Sequence, residues 1–299
     1  MDSGAKSGTH PPATPGRVAF LDGRGELPML EITTAWSSAE IYLHGAHVTH
    51  FGRKGEPPLL FLSQCSRFDK NQPIRGGIPV IFPWFGPREG MGMHGFARIK
   101  AWEVKEVLPA ADGSMTVRFR LPEYPEASGY PDFTADYIVT VNETLTLELA
   151  VTNKSTDETL EFEECLHTYF AVEDISATSV VGLKGLSYLD KVANFEKKTE
   201  TNDAIRISSE VDRVYLDATG TVEVRDGRLR RVIRVEKQHS ASTVVWNPWV
   251  KKSGEMPDFG NDEYHKMVCV ESGNVNANKV ILPPGKSSSM KVTLKSVMQ

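Results

Sequence analysis

Two side chains of this sequence have the types that general acid–base chemistry requires, and each sits in an apolar stretch. His167 lies within LEFEECLHTYF (160–170), and Glu271 lies within KMVCVESGNV (266–275). An imidazole can give and take a proton near neutrality, and a carboxylate can take one. In an extended chain alternate residues share a face. Glu161, Glu163, Cys165, His167 and Tyr169 then point one way, and Phe162, Leu166 and Phe170 the other. By the same rule Val268 and Val270 oppose Cys269 and Glu271. The spacing predicts an imidazole late in one strand and a carboxylate at the end of another. Each also has a plain structural explanation: a hydrogen-bonded, half-buried histidine, and a strand-end carboxylate satisfied by the amides of the following Ser-Gly-Asn turn.

A second stretch carries groups suited to an anionic, ring-shaped ligand. Residues 71–102 are dense in glycine and proline but interleave bulky apolar residues with Arg75, Arg88, His94 and Arg98. Glycine lets the backbone approach a ligand closely. Flat rings such as Trp84 and Phe85 suit the apolar face of a sugar, and guanidinium groups suit phosphate. The alternative is a connecting loop packed on the end of a sheet, with its arginines in solvent.

The elements that must position these groups are strands. Short runs rich in Val, Ile, Thr and aromatic residues recur at 29–33, 39–43, 46–51, 116–121, 135–141, 144–152, 221–226, 230–238, 242–247 and 290–297. Many alternate apolar with polar, as half-buried strands do. Asn142-Glu143 and Pro283–Lys286 read as hairpin turns. No helix of three turns is predicted; short helical pieces are expected near 61–68 and 260–266. The pattern is all-β, a sandwich or barrel of antiparallel strands. With no internal linker or repeat, residues 17–299 form one expected domain behind a polar, Pro/Gly-rich tail, 1–16, expected to be disordered.

Composition narrows the function classes. Of 299 residues 40% are hydrophobic and 24% charged, the balance of a soluble globule with a sizeable core. A net charge of −5 argues against nucleic acid as a partner. No apolar run approaches the ~20 residues of a membrane span. The three scattered cysteines, Cys65, Cys165 and Cys269, fit neither a disulfide framework nor a thiolate zinc site. With no secretory signal at the N-terminus, they point to a reducing, cytoplasmic setting. His44, His47 and His50 cannot converge from one regular element, so no metal is expected there. The basic run from Arg225 to Arg234 reads as the solvated face of a strand. No phosphate-binding loop, serine-hydrolase elbow or dinucleotide fingerprint appears.

Six segments in order carry a resemblance: PIRGGIPVIFPWFG (73–86), HGFAR (94–98), ECLHTYF (164–170), DRVY (212–215), VVWNPW (244–249) and CVESGNV (269–275). Together they resemble the glucose-6-phosphate 1-epimerase branch of the aldose 1-epimerase (galactose mutarotase) family. GAHVTHF (45–51) extends the likeness to nearly the whole chain after the tail. The resemblance implies a large twisted antiparallel β-sandwich of the galactose mutarotase type, with the site on a concave sheet face. It implies His167 as catalytic acid and Glu271 as base, reaching opposite sides of the C1–O5 unit of a hexose 6-phosphate. Arg75 and Arg98 would bind substrate through its phosphate, Asp212 would bond sugar hydroxyls, and His94 and Trp84 would lie near the ring. The WNPW segment would buttress the site. Met93 stands where family members often carry a polar residue, so that substrate contact is altered. The resemblance implies no cofactor or metal, and the expected enzyme is a monomer. Glu163, Glu164 or Glu271 would supply the negative potential that keeps His167 protonated. Competing readings are an epimerase of unphosphorylated aldoses, a non-catalytic sugar-phosphate-binding protein, and a glycoside-cleaving enzyme. The last normally needs two flanking carboxylates.

Overall fold

Alternation along the strands sorts side chains into two layers, and those layers define the molecule. The structure, a computed structural model, describes residues 16–299. The expected tail lies outside the described residues except for Gly16. The named strands pair antiparallel throughout. A nine-stranded sheet runs, in spatial order, through Ala204–Arg206, Thr178–Val181, Val222–Asp226, Arg231–Gln238, Ser287–Met298, Leu145–Asn153, Phe133–Val141, Met115–Arg120 and Glu103–Pro109. An eight-stranded sheet runs through Glu196–Thr199, Ser187–Asp190, Val211–Tyr215, Ser242–Asn247, Met267–Asn274, Glu164–Leu166 and Val80–Ile81, with Tyr169–Ala171 also paired to Met267–Asn274. A four-stranded sheet comprises Arg17–Asp22, Pro28–Thr33, Ser37–Tyr42 and His47–Arg53.

The inner face of the eight-stranded sheet packs on the nine-stranded one. Leu166, Phe170, Val245, Val268 and Val270 join Val117, Phe119, Tyr137, Val139, Leu147 and Leu149 in one continuous apolar core. Fully burying such side chains contributes about 1.5–3 kcal/mol each, so this layer anchors the strands that carry the polar groups. The opposite face of the eight-stranded sheet holds Cys165, Asp212, Val244, Trp246, Cys269 and Glu271, and this is where the functional groups gather.

The predicted strands match closely; 242–247, for instance, is Ser242–Asn247. Several local expectations change. His167 does not sit within a strand. The ladder breaks at residues 167–168, where the His167 N–H turns to donate to the Pro79 carbonyl. No helix forms near 61–68: Leu60 and Leu62 are extended and bridge Phe170 and Gly76, and a turn follows at Ser63–Ser66. The piece near 260–266 is a short 3-10 helix, Glu263–Lys266. Asn142-Glu143 does turn a hairpin. Pro283–Lys286 is a turn but not a hairpin, because Val280–Leu282 pairs with Leu160–Phe162 while Ser287–Met298 lies in the large sheet. Arg231 departs from the expected solvated face: it is buried and donates to the carbonyls of Pro57, Pro58 and Ala171.

Candidate active site

The segment 73–98 lies across the open face of the eight-stranded sheet, and glycine makes this possible. At Gly77 (φ +59°) a Cβ would stand 2.3 Å from the Val48 carbonyl oxygen; at Gly95 (φ +69°) it would stand 2.0 Å from that of Phe82. Any side chain there would push the loop off the sheet. Glu163 fixes the loop from below, its carboxylate accepting from the N–H groups of Phe85 (2.8 Å) and Asn276 (2.6 Å). Asn247, of the WNPW segment, ties the far side by donating to the carbonyls of Tyr264 and Met267, both at 2.9 Å. Between them lies a cavity of about 270 Å³. That is near the lower end of the volumes usual for small-molecule sites.

His167 and Glu271 meet inside it. His167 Nε2 lies 3.2 Å from Glu271 Oε1, and both side chains are almost wholly buried. The other carboxylate oxygen, Oε2, accepts from the Cys165 thiol at 3.5 Å. The imidazole stacks on Tyr169, with ring centres 4.8 Å apart and planes 13° apart, and meets His94 and Trp246 edge-on. The two groups stand side by side in direct contact rather than facing each other across a gap.

Electrostatics of the pair follow from burial. Burial first, and the cationic Arg75 and Arg98 next, hold the His167 imidazole well below its ordinary range. Burial first, and the carboxylate of Asp212 next, push Glu271 well above the usual carboxylate range, with Lys191 opposing. Both shifts run towards the uncharged forms of the pair. Glu163 and Glu164 do not supply the expected negative potential. Glu163 is spent on the loop amides, and Glu164 accepts from Asn274 Nδ2 at 2.8 Å, held by burial at a pKa of about 7.

The other predicted residues fall into two groups. Arg75, Arg98, His94 and Asp212 line the cavity. Arg75 donates to Asp258 Oδ2 (3.2 Å) and to the Tyr169 hydroxyl (3.1 Å). Arg98 is less satisfied: Nη2 donates to the Met93 carbonyl at 2.8 Å, and Nε is buried with no partner among the described residues. Burial first, then Arg75, lowers its pKa to about 10. His94 adopts φ +66°, and its Nδ1 accepts from the Gly86 N–H at 3.1 Å. That bond leaves the proton of the neutral ring on Nε2, so His94 is an N–H donor. The exposed Met93 side chain lines the mouth while its backbone holds Arg98. Trp84 does not join them. It is buried, packs edge-on against Phe96 and faces a neighbouring cleft with Arg88, because alternation along the loop hands the cavity to Phe85.

Sequence reasoning missed Lys191, Lys252, Tyr169, Trp246 and Met256 as cavity-lining groups. Tyr169 shares the face predicted for His167, and that alternation was a usable signal. Lys252 and Met256 follow VVWNPW within the family-like stretch TVVWNPWVKKSGEMPDF (243–259), whereas Lys191 lies in no motif. His44 and His47 each turn to a different backbone carbonyl, Gln72 and Gly76, so the three histidines do not converge. His167, Cys269 and Glu271 do bring donor atoms within 4.8 Å of one another. The guanidinium groups and Lys191 around them nevertheless favour an anionic ligand over a divalent cation.

Comparison with known proteins agrees with this geometry. A family profile described as aldose 1-epimerase matches residues 28–295. A protein of Cenchrus ciliaris named "Putative glucose-6-phosphate 1-epimerase" is 36% identical over 269 residues, covering 87% of this chain and 81% of its own length. One of the same name from Escherichia coli K12 is 36% identical over 251 residues, covering 83% of each chain. A solved structure from Salmonella typhimurium, described as a "putative mutarotase", superposes with a TM-score of 0.84 at 27% identity, covering 94% of this chain and 97% of that one.

Proposed function

This chain belongs to the aldose 1-epimerase family, and on that premise we propose that it is a mutarotase interconverting the α and β anomers of a hexose 6-phosphate. The observation that carries this reading is the 3.2 Å contact of His167 with Glu271 in a cavity that also holds Arg98.

The chemistry requires two proton transfers at C1. Glu271, as carboxylate, takes the proton of the C1 hydroxyl, and His167, as imidazolium, gives one to the ring oxygen. The C1–O5 bond breaks and an aldehyde forms at C1. After rotation about C1–C2 the ring closes on the other face. His167 then recovers the O5 proton, and Glu271 returns its proton to O1. The pair holds one proton in its cyclic-sugar state and one in its open-chain state, so no proton exchanges with solvent. Each positioned acid or base contributes typically 10²–10⁴-fold.

Phosphate fits the remaining charge. Arg98 offers a guanidinium with an unused buried N–H, and Arg75 stands beside it. These cations also disfavour imidazolium at His167. A phosphate dianion on them offsets that field, so binding remote from C1 raises the basicity of His167 and stocks the acid. His94 Nε2–H and Asp212 would bond sugar hydroxyls, and Phe85 would cover an apolar ring face. The three free cysteines fit a cytoplasmic setting.

The test is polarimetry of freshly dissolved α-glucose 6-phosphate with catalytic amounts of protein. The reading predicts relaxation to the anomeric equilibrium well above the buffer rate, and a much smaller acceleration for α-glucose. Relaxation at the buffer rate, with the sugar phosphate nonetheless bound, would favour the binding-protein alternative.

A further inference from the structure

Just beyond the end of a ladder, Lys191 reaches Asp212. In the register of Ser187–Asp190 against Val211–Tyr215, Asp190 pairs with Arg213, so the next residue in one strand direction meets the previous one in the other. Lys191 opens a one-turn 3-10 helix, Lys191–Ala193, at the tip of the hairpin leading to Glu196–Thr199. The turn closes through Asn194 and Phe195, both at positive φ, and the Phe195 N–H donates to the Asp190 carbonyl at 2.8 Å. This fold-back aims the ammonium into the cavity. Nζ lies 3.0 Å from Asp212 Oδ2 and 5.4 Å above the centre of the Phe85 ring. Asp212 is buried and Lys191 only part-exposed.

A surface pair of this kind contributes little to stability. This pair instead stands on the cavity wall shared with Glu271 and His167, and among the described residues neither partner makes another ion pair. A lysine has three donors and a carboxylate about four acceptor positions, so each has capacity left after their mutual contact. Hydroxyl oxygens on adjacent ring carbons of a pyranose are about one hydrogen-bond length apart. A donor and an acceptor at that same separation can receive such a pair together, the ammonium donating to one oxygen and the carboxylate accepting from the neighbouring O–H. An aromatic ring beneath the ammonium covers the apolar C–H edge between them.

From this geometry we infer that Lys191 is a specificity-determining residue of the reaction, acting with Asp212 as a donor–acceptor clamp on two adjacent hydroxyls of the hexose. Arg98 and Arg75 then take the phosphate, and Lys191 takes no part in holding it. The inference rests on the mutarotase reading of the same cavity. The clamp also keeps a cation beside Asp212, so the Asp212 charge does not bear unscreened on Glu271.

The test is a substrate-by-variant cycle. Lys191→Met keeps the length and apolar stem and removes the donor. Anomerisation is measured for glucose 6-phosphate and its 2-deoxy, 3-deoxy and 4-deoxy analogues, and for free glucose. Hydrogen bonds to charged groups predict a loss of roughly 10- to 100-fold in kcat/KM on glucose 6-phosphate. For one deoxy analogue, lacking the oxygen that Lys191 contacts, the same substitution should cost at most a few-fold. Free glucose should lose as much as glucose 6-phosphate, leaving phosphate preference intact. Lys191→Arg should recover part of the rate, and an unchanged melting temperature of Lys191→Met separates the effect from misfolding. A uniform loss on all three deoxy analogues would overturn the clamp. So would a loss confined to phosphorylated sugars, which would make Lys191 a phosphate ligand. Glu271→Gln run alongside keeps the two claims apart: full activity in that variant defeats the mutarotase mechanism, whereas an inactive Glu271→Gln with a uniform Lys191→Met loss defeats the clamp alone.

Discussion

Arg98→Met should make the protein more stable and a worse enzyme on phosphorylated sugar. Arg98 carries a charge into the cavity with one hydrogen bond among the described residues, to the Met93 carbonyl, and an Nε unpartnered among them. Burial, with Arg75 beside it, lowers its pKa from 12.5 to about 10. Two to three pK units at ~1.4 kcal/mol each, discounted for partial exposure, amount to about 1–3 kcal/mol of destabilisation. The sign is fixed by linkage. The folded-state pKa is depressed, so the cost is fully present below about pH 10, where both states are charged, and is relieved as pH rises towards the unfolded value. At neutral pH the variant should therefore melt higher. Function moves the other way. Truncating one partner of a buried, hydrogen-bonded charge pair costs about 2–5 kcal/mol. At about 1.4 kcal/mol per tenfold, kcat/KM for glucose 6-phosphate should fall on the order of 30- to several thousand-fold. Free glucose should change little. Differential scanning calorimetry and a dehydrogenase assay coupled to one anomer read both arms. Equal losses on the two sugars, or a lower melting temperature, would refute the argument that this guanidinium is held unsatisfied for a phosphate.

Three further outcomes follow from the same geometry. The pH profile of kcat/KM should be bell-shaped with macroscopic pKa values belonging to the His167–Glu271 pair; its acid limb should lie below the ordinary histidine range and move up in Arg98→Met, and an unmoved limb would count against the arginine field. Glu164, raised by burial from 4.5 to about 7, favours folding at low pH and loses that contribution as pH rises through about 4.5 to 7; Glu164→Gln should remove a slope on the order of 3 kcal/mol over that window in urea unfolding, and an unchanged slope would exclude Glu164 as its source. Trp84→Ala should cost about 3–5 kcal/mol of stability, whereas Phe85→Ala should mainly raise KM; the reverse pattern would restore Trp84 to the site.

How much of this was legible in the sequence depended on periodicity. Alternation put Val268 and Val270 in the core and Cys269 and Glu271 on the cavity face, and it separated Phe170 from Tyr169 in the same way. It failed where strands break. The ladder gap at 167–168 and the fold-over of 73–98 are set by long-range partners such as Pro79, Glu163 and Asn276, which no local pattern reveals. Trp84 was assigned to the site because large aromatics suit sugars, but one residue of register gave that place to Phe85. Lys191 was invisible because its position depends on hairpin register against another strand. Arg231, in a run of exposed arginines, was misread because three backbone carbonyls from distant segments bury it.

The central claim is that one proton, shared between His167 and Glu271, opens and recloses the sugar ring. Two-dimensional exchange NMR of glucose 6-phosphate at equilibrium measures α-to-β interconversion directly, without a coupling enzyme. Cross-peaks between the anomeric resonances should grow at a rate proportional to the concentration of parent protein, and should fall to the protein-free rate for both His167→Ala and Glu271→Gln. Exchange that persists undiminished in either folded variant would contradict the account.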